Sequence, residues 1–152
     1  METFKQARDL LIWVRDLHRR MKKNYAEAAD QASEERSSMA FRFLEQHESI
    51  YEQTLTDALS QQQDVLNTWI QYTPDKELLD PFHSYEPSPD MHVQDISQTA
   101  QKMSDALLQF FREAVERVKS EPARAVFEQL LKKQESDRAK LAEHLESIHR
   151  GV

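Results

Sequence analysis

Carboxylate and imidazole side chains lie in the middle of apolar helical patterns, where they could bind a metal ion. His18 lies in the first pattern along the chain, His47 and Glu48 in the second, and Glu135 in the last. Carboxylates and imidazoles bind iron and similar divalent metals in the interior of helical proteins. One hypothesis is therefore a mononuclear metal site with few protein ligands, formed by Glu48, Glu135 and one of His18 or His47. It would hold iron or another divalent metal and support oxidoreductase-like chemistry.

The alternative interpretation of the same residues is structural. A buried carboxylate is stabilised by hydrogen bonds or by an opposite charge. Glu48 could therefore pair with an Arg or a Tyr across the protein while the histidines sit at the edge. Arg138, one turn beyond Glu135, is a candidate for such pairing. We favour this arrangement, which predicts no catalytic residue, no cofactor and no bound metal.

The composition argues against several other kinds of site. The chain has one Gly, Gly151, and no Cys. P-loops, dinucleotide-binding Gly motifs, disulfides, thiolate metal sites and cysteine nucleophiles are therefore excluded. A Ser-His-Asp triad is not indicated, because no oxyanion-hole loop accompanies the helical serines and histidines. His144 and His149 are five residues apart, so they do not share one helix face as a metal-binding pair would.

Charge and hydropathy predict neither nucleic-acid binding nor a membrane span. The 152 residues include 20 Lys+Arg and 27 Asp+Glu, a net charge of −7, whereas nucleic-acid-binding domains present a basic face. The basic stretch 15–23 is interrupted by Leu17 and Met21 at core positions. We expect a solvated helix face there, with an anionic or protein partner as the alternative. No apolar run approaches the ~20 residues that cross a bilayer. Residues 1–6 carry no secretory signal, which predicts a cytoplasmic protein.

Apolar residues recur at three- and four-residue steps, which predicts long amphipathic helices and no strands. The predicted helices run from about Phe4 to Asp30, from Glu34 to Tyr72, from Asp90 or Asp95 to about Val118, and from Ser120 to Arg150. The residues expected in the core are Leu44, Leu55, Leu107, Phe111, Phe127, Leu130 and Leu141. Ser120 with Pro122 in the first turn, and Gly151 after the last, are typical helix-end residues.

Four of the five prolines fall in a connection at about residues 73–90. Within it, a short helix is predicted over Asp75–Leu79 and an extended loop over Pro81–Pro89. The other two joints are tight, while this connection is long enough to run back along the helices. That pattern is typical of a four-helix bundle with one long crossover between its second and third helices. The sequence therefore predicts one all-α domain over residues 1–152.

Aromatic residues cluster at the end of the second predicted helix and in the proline-rich connection. They are Trp13, Trp69, Tyr72, Phe82 and Tyr85. Bulky aromatics in a loop can pin it to the protein as a lid, form a dimer patch, or line a ligand pocket. The first role is favoured, and the second is one reason to expect a homodimer.

Two segments carry a resemblance to a known superfamily. Residues 41–51 (FRFLEQHESIY) and 127–138 (FEQLLKKQESDR) resemble the second and fourth helices of rubrerythrin- and ferritin-like proteins, where an apolar run leads into an inward Glu-x-x-His. Here that motif becomes Glu48-x-x-Tyr51 and Glu135-x-x-Arg138. A shift of one residue in the last helix gives Gln134-x-x-Asp137 instead.

The resemblance implies a ferritin-like fold without the usual metal chemistry. A di-iron site needs roughly four carboxylates and two imidazoles facing one another. No inward carboxylate is evident on the first and third helices. The resemblance therefore implies a non-catalytic ferritin-like bundle that acts as an interaction or stress-associated accessory protein, with a protein partner possible.

Overall fold

The computed structural model describes residues 3–151, and helices account for 81% of them. In chain order the elements are β1 (Phe4–Gln6), α1 (Ala7–Gln31), α2 (Glu35–Gln61), α3 (Gln63–Leu66), β2 (Trp69–Tyr72), α4 (Lys76–Ser84), α5 (Val93–Arg117) and α6 (Glu121–Arg150). The prediction of a mostly helical, all-α protein is confirmed. The prediction that strands are absent is wrong, because β1 and β2 form a small sheet.

The sheet is antiparallel and lies at the start of α1, where Phe4 pairs with Tyr72. The N–H of Ala7 also donates to the carbonyl of Thr68 at 2.9 Å. Exposed and buried side chains alternate along residues 69–72, which is the two-residue period of a strand. For this reason the first predicted helix begins too early, at Phe4, and the second continues too far, to Tyr72.

The second long helix ends at Gln61, within a run of glutamines that offers no apolar side chain to the core. Leu66 lies in the core, in the one-turn α3. A helix continuing to Tyr72, as predicted, would carry Trp69 on its apolar stripe, but Trp69 is 59% exposed. That expectation is wrong because the strand alternation turns Ile70 and Tyr72 inward and Trp69 outward.

The proline-rich connection contains a longer helix than predicted. α4 includes Pro81, so the expectation of an extended chain over Pro81–Pro89 fails at its start. Leu79 and Phe82 are buried on one face of α4. Burial of these two side chains opposes the cost of the hydrogen bond that Pro81 cannot donate. Pro87 and Pro89 lie outside helices, as expected.

The ends of the long helices follow local rules. At the start of α1, the N–H of Gln6 donates to Asp9 Oδ2 at 3.2 Å. At the start of α6, Ser120 Oγ accepts from the N–H of Ala123, and Gly151 ends the helix with φ of 76°. These interactions satisfy backbone groups that a helix terminus leaves without an intrahelical partner. The predicted roles of Ser120 and Gly151 are confirmed.

The apolar core lies between the four long helices of the described residues. α1 packs along α2, α5 packs along α6, and α2 also contacts both α5 and α6. The seven residues predicted to form the core are all buried, namely Leu44, Leu55, Leu107, Phe111, Phe127, Leu130 and Leu141. Truncating a buried Leu or Phe of this kind to Ala typically costs about 2–5 kcal/mol, so the apolar stripes stabilise the packing of the helices.

The connection between α2 and α5 follows α1 from one end to the other. It begins beside Ala7, where β2 meets β1, and Phe82 of α4 packs edge-on against Trp13 with ring centroids 6.1 Å apart. At the far end, Ser37 Oγ donates to the carbonyl of Met91 at 2.7 Å. In the part of the chain that the structure describes, no helix has the length and apolar character needed to span a bilayer.

Candidate functional site

A pair of ionisable side chains in the interior, His18 and Glu48, joins α1 to α2. His18 is 4% exposed, and its ring Nδ1 is hydrogen-bonded to Oε2 of Glu48. His18 follows Leu17 on the buried face of α1, while Glu48 comes one turn after Leu44 on the apolar stripe of α2. Helix periodicity therefore turns both side chains inward. The partner of Glu48 is His18 rather than the expected Arg or Tyr, and the expectation that both histidines lie at the edge is wrong for His18.

Tyr51 extends this pair toward α6. Its ring stacks on that of His18 with centroids 5.2 Å apart, and its hydroxyl donates to Asp137 Oδ2 at 2.6 Å. Burial, the Asp137 hydrogen bond and the Asp137 charge raise the pKa of Tyr51. Lys133 Nζ lies 3.6 Å from the same carboxylate oxygen. Tyr51 is therefore a neutral hydrogen-bond donor at physiological pH and not a phenolate ligand.

His47 lies beside Tyr51, edge-on, with ring centroids 5.1 Å apart. Both its ring nitrogens are buried and have no hydrogen-bond partner among the described residues. Burial lowers the pKa of His47, with a further lowering from His18, while Glu48 opposes the shift. The imidazole is consequently neutral at pH 7.

Gln134 and Ser104 complete the interior polar groups from α6 and α5. Gln134 is 2% exposed, and its Nε2 donates to Ser104 Oγ at 3.3 Å. These two residues, together with His18, His47 and Glu48, contribute to the lining of a cavity of about 30 Å³ between the long helices. We call these five side chains with Tyr51 and Asp137 the polar cluster.

Glu135 and Arg138, the two residues expected to face inward on the last helix, do not belong to the polar cluster. Glu135 is exposed, and Arg138 donates to both carboxylate oxygens of Asp105 at 2.7 and 3.2 Å. The expected pairing of Arg138 with Glu48 or Glu135 is therefore wrong. The register shifted by one residue, Gln134-x-x-Asp137, is the one that faces the interior. The spacing of Gln134 from Phe127, Leu130 and Leu141 on the apolar stripe contained this signal.

The polar cluster does not fit a di-iron centre. Within residues 3–151, no three His, Asp or Glu side chains converge so that they could hold a metal ion. The interior carboxylates are engaged, because Glu48 accepts from His18 and Asp137 accepts from Tyr51. Two dications in a helical core need several carboxylates as ligands and as compensating charge. Here the interior carboxylates are hydrogen-bonded to side chains of the protein and are not arranged as metal ligands.

The basic stretch 15–23 makes its contacts within the protein. Arg19 and Lys22 both reach Glu52, at 3.3 and 3.0 Å. Arg20 donates to the backbone carbonyl of Phe82 in α4. These pairs attach α1 to α2 and to the proline-rich connection, as expected of a helix face at the surface.

The aromatic residues divide into two groups. Trp13 stacks on Phe110 at 5.5 Å and contacts Phe82, so α1, α4 and α5 share one aromatic cluster. Tyr85 packs edge-on against Tyr25 at 6.1 Å. These contacts hold the proline-rich connection against the long helices, which is the role that the sequence favoured for the loop aromatics. Trp69 takes no part in them and points outward.

Comparison with protein-family models, with curated proteins and with solved structures finds no match.

The Tyr51–Asp137 hydrogen bond predicts a measurable loss of stability in Tyr51→Phe. A hydrogen bond to a charged group contributes about 1.5–3 kcal/mol, and we expect the free energy of unfolding to fall by about that amount in urea titrations. Tyr72→Phe is the matched control, since the buried Tyr72 hydroxyl has no partner in the described residues. The free energy of unfolding of Tyr72→Phe should not fall, because this substitution removes a buried hydroxyl that makes no hydrogen bond to the described residues. Equal losses in both variants would contradict a role for the hydrogen bond.

The buried His47 predicts a pH dependence of stability. Its pKa in the folded protein lies below the ordinary value of 6.5, so the unfolded chain binds more protons between these two values. The free energy of unfolding therefore falls as pH drops below about 6.5. We expect His47→Gln to lose less stability than wild type between pH 7 and pH 5. His149→Gln, which removes an exposed imidazole, should follow wild type. Parallel curves for all three proteins would show that His47 does not resist protonation.

Proposed function

We propose that this chain is a non-catalytic four-helix bundle of the ferritin-like type that acts as an interaction or stress-associated accessory protein. The His18–Glu48 pair carries the proposal. The pair lies in the interior, where the resemblance implies a metal ion, and it hydrogen-bonds the Glu48 carboxylate to a side chain of the same protein.

The path of the connection supports the ferritin-like topology. It starts beside Ala7 and ends beside Ser37, so the start of α5 lies near the start of α2. Arg36 at the start of α2 donates to the carbonyl of His149 at the end of α6. These contacts suit α2 and α5 running parallel, with α1 and α6 antiparallel to them. One long crossover between the second and third long helices produces that arrangement.

The charges around the polar cluster support a structural role. Lys133 lies 3.6 Å from Asp137 and brings a cation close to the carboxylate that a metal would otherwise use. Lys carries three donors and no lone pair when protonated, so it competes with a metal cation rather than binding it. Glu135, the second carboxylate of the implied motif, is exposed to solvent.

A second candidate function is a metal-binding oxidoreductase-like protein with a degenerate site. It is favoured by one observation, the unpartnered ring nitrogens of His18 and His47 beside Glu48. Neutral imidazole nitrogens are common ligands for iron and zinc. With Glu135 exposed to solvent, this site would keep Glu48 and one of His18 or His47, and water would supply the remaining ligands. It would resemble a mononuclear centre and not a di-iron centre.

Elemental analysis separates the two functions. We expect purified protein from metal-supplemented medium to hold less than about 0.1 iron, manganese or zinc per chain, because the interior ligands bind one another. Glu48→Ala should lower the free energy of unfolding without changing the metal content, while Glu135→Ala, at an exposed position, should leave both unchanged. One metal ion per wild-type chain, lost in Glu48→Ala and kept in Glu135→Ala, would establish the degenerate metal site instead.

The proposal includes a homodimer located in the cytoplasm, with neither nucleic acid nor membrane as a partner. Met39, Ile50 and Trp69 are large apolar side chains that are at least half exposed, and exposed apolar residues favour association. The absence of Cys suits a reducing compartment.

A dimer predicts a mass of about twice 17.9 kDa in light scattering at tens of micromolar protein. Substitution of an exposed apolar residue that lies in the dimer interface should weaken association. We expect Trp69→Ser to shift the mass toward that of one chain, and Lys5→Ser, at an exposed residue of the neighbouring strand, to keep the dimer. A mass near 18 kDa for the wild-type protein would rule out the homodimer.

A further inference from the structure

Four polar atoms of the polar cluster have no hydrogen-bond partner in the described residues. They are His18 Nε2, both ring nitrogens of His47, and Gln134 Oε1. All three side chains contribute to the lining of the 30 Å³ cavity between the long helices. Buried polar groups without partners are rare in proteins and commonly indicate a bound molecule. The cavity is therefore more than a packing defect.

The donors and acceptors of these atoms can be counted. Gln134 uses Nε2 to donate to Ser104 Oγ, which leaves its carbonyl oxygen as an acceptor. Neutral His47 offers one N–H donor and one lone pair. His18 uses Nδ1 toward Glu48, so its Nε2 is a lone pair when the ring is neutral and an N–H when the ring is protonated. The unpartnered set thus contains both donors and acceptors.

We propose that a buried water molecule occupies this cavity and bridges His18, His47 and Gln134. A water donates two hydrogen bonds and accepts two, and buried waters typically make about three bonds to otherwise unsatisfied groups. Roughly 10–15 Å³ is enough to hold one water, and the cavity exceeds that volume. The bridge joins α1, α2 and α6 and extends through Gln134 to Ser104 on α5, so all four long helices share one hydrogen-bond network.

Water fits the set better than a cation or an empty space. A cation satisfies lone pairs only and is repelled by a protonated His18, whereas one water can bond to whichever His47 ring nitrogen faces the cavity, as a donor or as an acceptor. The lining also includes apolar residues such as Leu44 and Leu107, but an empty cavity would leave the polar atoms of His18, His47 and Gln134 unsatisfied. Water satisfies Nε2 of His18 in either protonation state, because it can donate to a lone pair or accept from an N–H. The proposal holds whether or not the protein acts as an accessory module.

Oxygen-17 magnetic relaxation dispersion on the full chain tests the proposal by counting waters with long residence times. We expect at least one such water in the wild-type protein and one fewer in Gln134→Leu, which removes an acceptor from the cavity. Gln129→Leu, on the exposed face of the same helix, should keep the wild-type count. Circular dichroism and elemental analysis on the same samples establish that each protein is folded and metal-free.

The wild-type measurement keeps the test decisive if Gln134→Leu does not fold. In that case, folded, metal-free wild-type protein must show a long-lived water with nuclear Overhauser effects to the ring protons of His18 and His47. A wild-type protein without any long-lived water would overturn the proposal, and so would an unchanged count in folded Gln134→Leu. A metal ion in the cavity would overturn both the water and the accessory function, whereas a dry, metal-free cavity would overturn the water alone.

Discussion

The architecture depends on how the carboxylate of Glu48 is accommodated. Its side chain is 13% exposed and lies on the apolar stripe of α2, between Leu44 and Leu55. A buried carboxylate without a partner is strongly destabilising. Because the partner is His18 on α1, the pairing holds the two helices at one relative height. One turn further along α2, Tyr51 donates to Asp137 on α6. This hydrogen bond fixes the height of α6 relative to α2.

The ends of the molecule are held by different interactions. The β1–β2 sheet joins the start of α1 to the connection that follows α2, and the aromatic contacts of Trp13 hold α4 against α1 and α5. At the opposite end, Ser37 binds the carbonyl of Met91. The polar cluster joins the long helices in the middle of the molecule, while these backbone and aromatic contacts hold the connection at its two ends.

The sequence predicted the parts of the fold that depend on helix periodicity. All seven predicted core residues are buried, because a three- and four-residue repeat in a long helix leaves one inward face. It did not predict the sheet, because residues 4–6 and 69–72 are short and acquire their pairing only through contact with each other. Strand formation of this kind depends on tertiary contact more than on local preference.

In the candidate site, the sequence identified His18, His47 and Glu48 but not their pairing. Which side chain neutralises a buried carboxylate depends on the relative height of two helices, and periodicity does not define it. The error at Glu135 has a different origin. A shift of one residue rotates the inward position by about 100°, which exchanges Glu135 and Arg138 for Gln134 and Asp137. The spacing of Gln134 from Phe127, Leu130 and Leu141 favoured the shifted register, whereas the Glu-x-x-His resemblance pointed to Glu135.

A polar interior of this kind stabilises less than an apolar one but discriminates more strongly between arrangements. Apolar residues of similar volume often replace a buried ion pair at no cost in stability, so the His18–Glu48 pair is weak evidence for a stable protein. A shift of α2 by one residue relative to α1, however, would separate this pair and also Tyr51 from Asp137. Leu and Phe contacts tolerate such a shift far better, since they lack direction. The polar cluster therefore makes one packing of the four long helices much more favourable than packings shifted by one residue.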